Sequence, residues 1–183
     1  MRVCYNNYMR KHNLAFIDIE VTGLDVFDHE IIEIGCVLTT PELKIIEEFE
    51  LKIKPEHIEI ANPTAMKINH YSESSWQDAY TLKEAMKILS EKVRDAIMVG
   101  QNVAFDFSFL EHAFAKTKIK NNMHYHKLDT ISIAWAKFHK DTELKHFSLR
   151  DMCLRFDIKN ENAHSALSDA RATYELYKKL ITL

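Results

Sequence analysis

Glycine and proline occur only three times each in 183 residues. That scarcity excludes a linker-rich or low-complexity chain and predicts loops that are short or stiff. Cysteine is equally rare: Cys4, Cys36 and Cys153 are odd in number and far apart. Such spacing argues against a disulfide framework or a thiolate metal site and predicts a reducing compartment, read here as the cytoplasm. No apolar run approaches the ~20 residues of a membrane-spanning helix, and "MRVCYNNYMRKHN" lacks the apolar core of a signal peptide. An excess of basic charge is also missing. With a formal net charge of -3, the chain does not look like one that coats a long stretch of nucleic-acid backbone. Any contact of that kind is expected to be short and local.

What is present fits a folded protein: 46% of residues are apolar and 10% aromatic. Residues 1–12 are polar and irregular and predict a loose N-terminal arm, followed by a single domain over 13–183. "LAFIDIEVT", "IIEIGCVLT" and "KIIEEFELKIK" read as three strands, the second and third joined as a hairpin. "PTAMKIN" opens a short helix at Pro63. "LKEAMKILSEKVRDA" places Leu82, Met86, Leu89 and Val93 on one helical face. "IMVG" is a short buried strand, and "FDFSFLEHAFAKTK" a helix with Phe107, Leu110 and Phe114 along one side. "HYHKLDTISIAWAKF" starts extended and turns helical, and "FSLRDMCLRF" is a helix capped by Ser148. The last helix, "SALSDARATYELYKKLI", carries a stripe of Leu167, Ala170, Tyr174, Tyr177 and Ile181. Strands first, then alternating helix and strand, predict a mixed α/β sheet covered by helices.

Within the first strand stand two acids, in "LAFIDIEVTGL". Side chains alternate along a strand, so Asp18 and Glu20 share a face with Phe16, while Ile17 and Ile19 point the other way. The bland reading is a half-exposed strand with acids toward water. The "TGL" that follows, Thr22 to Leu24, argues for more, because a turn of small groups lets a ligand approach the backbone. A second acid, Asp106, falls in the first turn of the helix after "GQNVAF", where the helix dipole favours a carboxylate and where it could serve only as a cap. Asn102 stands at the strand exit before it, ordinary for a turn residue and equally able to contact a ligand. In "HSALSDARAT", His164 precedes the last helix and Asp169 lies inside it beside the apolar stripe. Ten histidines in the chain make any one of them unremarkable. If Asp18, Glu20, Asp106 and Asp169 converge, however, their repulsion calls for cations. Hard oxygen ligands plus one imidazole suit Mg²⁺ or Mn²⁺ rather than thiolate-bound zinc. Such a cluster matches a two-metal clamp on a phosphoryl group.

Three motifs in this order, "FIDIEVTGL", "NVAFDFSFL" and "HSALSDARAT", resemble those of the DEDD superfamily of 3′–5′ exonucleases in its histidine-containing subtype. The likeness is nearest to the proofreading exonucleases of bacterial replicative DNA polymerases and runs from about Leu14 to Leu180. The resemblance implies a ribonuclease H-like mixed five-stranded sheet flanked by helices. It also implies two divalent ions on Asp18, Glu20, Asp106 and Asp169, with His164 as general base. The backbone at Thr22 and Gly23 would meet the terminal 3′-hydroxyl, and Leu24 would wedge beside the terminal base. The chain departs from the family at "MKINHYSE", where Asn69 and His70 fall at the family's substrate-facing His and Gly. Val21 replaces a common Thr. The implied reaction releases nucleoside 5′-monophosphates from the 3′ end of a single strand, DNA by the likeness to proofreading enzymes. RNA or oligoribonucleotide trimming, and a binding module without hydrolysis, are the alternatives. Association with a polymerase is open, because nothing after the last helix suggests a tether.

Overall fold

The computed structural model describes residues 11–183. Five strands form one sheet in the order β3-β2-β1-β4-β5. β1 (Leu14–Val21), β2 (Ile31–Thr39) and β3 (Ile45–Lys52) grow from the three runs of branched apolar residues and pair antiparallel. β4 (Ile97–Gly100) adds to the other side of β1 in parallel, and β5 (Lys127–Asp129) adds to β4 in parallel. The mixed α/β sheet is the one expected from the order of the elements, and its five strands are those the family resemblance implies.

The helices are α1 (Pro63–Ile68), α2 (Leu82–Lys92), α3 (Val103–Thr117), α4 (Thr130–Phe138), α5 (Leu149–Phe156) and α6 (Ala166–Thr182). Most begin on side-chain caps that satisfy orphan N–H groups. Asn62 accepts from Thr64 and Ala65 ahead of Pro63, Thr81 and Glu84 form a capping box, and Ser148 accepts from Asp151. α2 stops at Lys92 instead of continuing to Ala96, because Asp95 takes up a left-handed φ of 59° and turns the chain into β4.

The alternation along β1 divides the core in two. Ala15, Ile17, Ile19 and Val21 pack with Met86, Leu89 and Val93 of α2 and Phe109, Leu110 and Phe114 of α3. Leu14 and Phe16 pack on the opposite face with Ala170 and Tyr174 of α6. Asp18 and Glu20 therefore face α6. The stripe of α6 is wider than its spacing suggests. Leu176 and Leu180 are fully buried against Ala134 of α4 and Met152 of α5, whereas Ile181 is 49% exposed. The helix serves two neighbours at once, the sheet and the α4–α5 pair, so no single stripe describes it. Of the expected arm, residues 1–10, with Cys4, lie outside the described residues. His12 is buried, with Nδ1 3.0 Å from the Asp95 carbonyl and its ring 4.2 Å from that of His124. Cys36 and Cys153 are buried free thiols. Among the described residues no helix is long and apolar enough to cross a membrane.

One glycine fixes where α6 meets the sheet. Gly35 of β2 pairs with Asp18 across the ladder. A Cβ there would fall 2.1 Å from the carbonyl carbon of Ala166, so the first turn of α6 rests directly on the strand. Gly35→Ala is expected to destabilise the protein by about 1–3 kcal/mol, the usual range for overpacking a tight contact. Urea unfolding followed by circular dichroism measures it. An unchanged midpoint would show that α6 can step back freely.

Candidate active site

Three elements meet at the C-terminal end of β1. From β1 come Asp18 and Glu20, both half-buried. From α3 comes Asp106, 4% exposed, whose Oδ1 accepts the Ile19 N–H at 3.1 Å and so ties the helix start to the strand. Asp106 thus does more than cap its own helix. From α6 comes Asp169, whose Oδ2 accepts the His164 N–H at 3.1 Å and whose Oδ1 accepts from the Asn160 amide. Ser168 Oγ donates to Asn160 Oδ1 at 2.7 Å and thereby sets which end of that amide faces Asp169. Glu20, His164 and Asp169 each offer a ligand atom within 4.8 Å of the others.

The surroundings of these acids raise their proton affinity. Burial raises the Asp18 carboxyl well above the usual carboxylate range, and Asp106, Asp169, Glu20 and Glu33 push it further. Burial lifts Glu20 to about 8, with Asp169, Glu33 and Asp106 adding to the effect. Asp106 reaches about 7 by burial, against the opposing hydrogen bond from Ile19. Among the described residues no lysine or arginine forms an ion pair with Asp18, Glu20, Asp106 or Asp169. Clustered carboxylates beside one imidazole and without a cation of the protein's own are a donor set that fits a hard divalent ion.

The remaining expected contacts divide. Leu24 is 80% exposed beside the site. Thr22 is fully buried; its N–H donates to the Glu30 carbonyl, its Oγ1 accepts the Glu30 N–H, and its carbonyl accepts the Asn62 N–H. Gly23 lies under the His29 ring, where a Cβ would fall 2.2 Å from an imidazole carbon. Asn69 is buried and holds α1 to β1, donating to the Val21 carbonyl at 3.1 Å and accepting from the Tyr71 N–H. Its amide is committed within the fold, so of the pair at "NH" only His70 reaches solvent. His70 has a φ of 54°, the left-handed conformation that a glycine would adopt without strain. Asn102 is exposed with a φ of 63° and makes no side-chain cap. Its N–H and that of Val103 donate to Asp129 Oδ1, while Asp129 Oδ2 caps α4 through Ser132.

Four supporting residues take on their roles in the folded chain. Glu33 is 4% exposed, faces α6 and accepts the Ala166 N–H at 2.7 Å. Gly35, Asn160 and Asp129 complete the set. Glu33 carries the same signal in sequence as Asp18: an acid inside the apolar run "IIEIG". Gly35, one of three glycines, marks a close approach of backbone inside a strand.

An α/β sheet that gathers acids and a histidine at one strand end defines a class of metal-dependent hydrolytic sites, and comparison with known proteins places the chain within it. Residues 15–177 match the family model described as Exonuclease, and the chain belongs to that family. It is 32% identical over 166 residues to the DNA polymerase III PolC-type of Caldanaerobacter subterraneus subsp. tengcongensis, covering 90% of this chain and 11% of that protein. To the DNA polymerase III subunit epsilon of Treponema pallidum it is 30% identical over 164 residues, covering 90% of this chain and 74% of that one. The chain thus spans only about a tenth of the PolC-type relatives. Among solved structures, E. coli exonuclease I in complex with a dA16 oligonucleotide superposes with a TM-score of 0.80 at 18% identity, over 93% of this chain and 41% of that one. That likeness shows the fold.

The raised acids make stability depend on pH. Glu20, at about 8, and Asp106, at about 7, bind protons more tightly in the folded chain than in the unfolded one. The folded state therefore holds the extra protons between the ordinary carboxylate range and about 8, and stability falls as pH rises through that window. In chelator, the melting temperature is expected to drop from pH 5 to pH 8. Added Mn²⁺ should raise it more at pH 8, because metal binds the deprotonated ligands. Thermal melts at both pH values test this; a melting temperature that climbs with pH in chelator contradicts it.

Proposed function

We propose that this protein is a 3′–5′ exonuclease that hydrolyses the terminal phosphodiester of single-stranded DNA and releases nucleoside 5′-monophosphates. The observation that carries this reading is the meeting of Glu20, His164 and Asp169 within 4.8 Å, beside Asp18 and Asp106. Two divalent ions, Mg²⁺ or Mn²⁺, would be held by Asp18, Glu20, Asp106 and Asp169; when bound they supply charge neutralisation at the scissile phosphate and acidify water. His164 takes the proton of the attacking water, a role that needs a neutral imidazole. Its backbone, held in a left-handed φ of 68° by the bond from its own N–H to Asp169, keeps the ring at the edge of the carboxylates. Leu24 stands free to wedge against the terminal base. Because the N–H of Thr22 is bonded to Glu30, the 3′-hydroxyl contact falls to the main chain of Gly23. Substrate facing at "NH" falls to His70, and the exposed side chain of Asn102 is left free for a substrate contact. The names of the relatives, a DNA polymerase III PolC-type and a DNA polymerase III subunit epsilon, support DNA as substrate and a polymerase as partner. The net charge of -3 supports short contacts with a strand end over duplex wrapping.

Matched 5′-labelled single-stranded DNA, blunt duplex and RNA, incubated with Mg²⁺ or Mn²⁺, test the reading. Single-stranded DNA is expected to shorten from its 3′ end fastest, since a paired end must first open. Equal rates on duplex would remove the strand preference, and faster RNA digestion would reassign the substrate. Products shortened from the 5′ end would overturn the polarity. His164→Ala is expected to fold and to lose about 10²–10⁴-fold in rate, the usual worth of a general base. A variant near the wild-type rate, folded by circular dichroism, would remove His164 from that role.

A further inference from the structure

Glu33 takes no part in the reaction described above, yet it is a carboxylate buried to 4% exposure in the middle of β2. Its position is unusual in two ways at once. Across the ladder it pairs with Glu20, and two residues on, Gly35 pairs with Asp18. Glu33 and Gly35 point from the same face of β2, toward α6. There Gly35 receives the backbone of Ala166 at a distance no Cβ would allow, and Glu33 Oε1 accepts the Ala166 N–H at 2.7 Å.

That N–H belongs to the first residue of α6. An N-cap side chain serves the second or third helical N–H, so this first orphan donor depends on a group from outside the helix. Two residues before Ala166 stands His164 in its left-handed φ of 68°, a conformation that persists in a non-glycine residue only where its surroundings hold it. Three residues after Ala166 stands Asp169. A single bond from β2 thus anchors the segment that carries both, on the strand whose ladder also sets Asp18 and Glu20.

Resting on the reading of the site as a divalent-metal centre, we infer that Glu33 is a positioning residue: by capping α6 from β2 it holds His164 and Asp169 in register with Asp18 and Glu20. It acts as a hydrogen-bond acceptor, and contributes neither a metal ligand nor a proton carrier. Two consequences follow from that distinction. Glutamine at this position keeps an acceptor oxygen and should substitute for glutamate, whereas alanine should not. Removing the donor should do the same damage as removing the acceptor. Ala166→Pro removes it at the first helical position, where proline is well tolerated. Ser165 before it is already extended at φ -113° and ψ 124°, as a residue preceding proline prefers.

Mn²⁺ binding to the full chain, read by electron paramagnetic resonance of the free ion without nucleic acid, tests the inference, with circular dichroism to confirm folding. Glu33→Ala and Ala166→Pro are each expected to weaken Mn²⁺ binding by about 10–100-fold, the range for residues that orient metal ligands. Glu33→Gln should bind as wild type does. The double variant should be no weaker than the worse single one, because both remove one bond. Wild-type binding in Glu33→Ala and Ala166→Pro overturns the role, and so does a Glu33→Gln loss equal to that of alanine. Should Glu33→Ala fail to fold, loss in Ala166→Pro with retention in Glu33→Gln sustains the role, and retention in both overturns it. A wild-type chain that takes up no Mn²⁺ overturns the reading of the site itself; normal uptake unaffected by the variants overturns only the role of Glu33.

Discussion

Repulsion among carboxylates at the end of β1 is the constraint on which the rest of the structure depends. Asp18, Glu20, Asp106 and Asp169 are brought together without a lysine or arginine paired to them among the described residues. Left alone, such a cluster drives its members apart or holds them protonated; burial first, and the neighbouring carboxylates second, displace Asp18 and Glu20 upward. The fold must therefore hold them by other means. Neutral hydrogen bonds do so: the Ile19 N–H on Asp106, and the His164 N–H and Asn160 amide on Asp169. These donors orient the acids without neutralising them, which leaves the charge for an ion to meet.

The order of the sheet makes the gathering possible. β1 lies at the centre, with antiparallel β2 on one side and parallel β4 on the other. Helix α3 leaves from the end of β4 and sets Asp106 against Ile19, while α6 crosses the other face and sets Asp169 above Glu20. Strain collects in the same region. His70, Asn102 and His164 all adopt left-handed φ values, and each lies in a segment that borders the site. Elsewhere the described residues take the same conformation at Leu43, Asp95, Lys118 and Asp157, where a turn suffices as explanation.

Much of this was legible in the residues. The three opening strands, the Ser148-capped helix and the two faces of β1 follow from period and cap chemistry, and the structure keeps them. The acids stood out because a carboxylate inside an apolar run is costly unless something meets it. Other features were hidden. The stripe on α6 was misjudged at Ile181, because a helix with two neighbours buries two faces. Asn69 looked like a surface contact and is a buried clamp on Val21. Thr22 looked like an open turn and has its N–H bonded to Glu30.

The sequence by itself determined which residues carry charge into apolar surroundings and which face of β1 they occupy, because alternation and burial cost are local properties of a strand. Only the tertiary structure decided that those residues meet. Asp18 and Asp169 are separated by most of the chain, and their approach depends on Gly35 lacking a side chain and on Glu33 finding the first N–H of α6. Neither fact is written in local periodicity. A glycine in a strand and an acid in an apolar run each have several possible meanings, and the helix packed against them selects one.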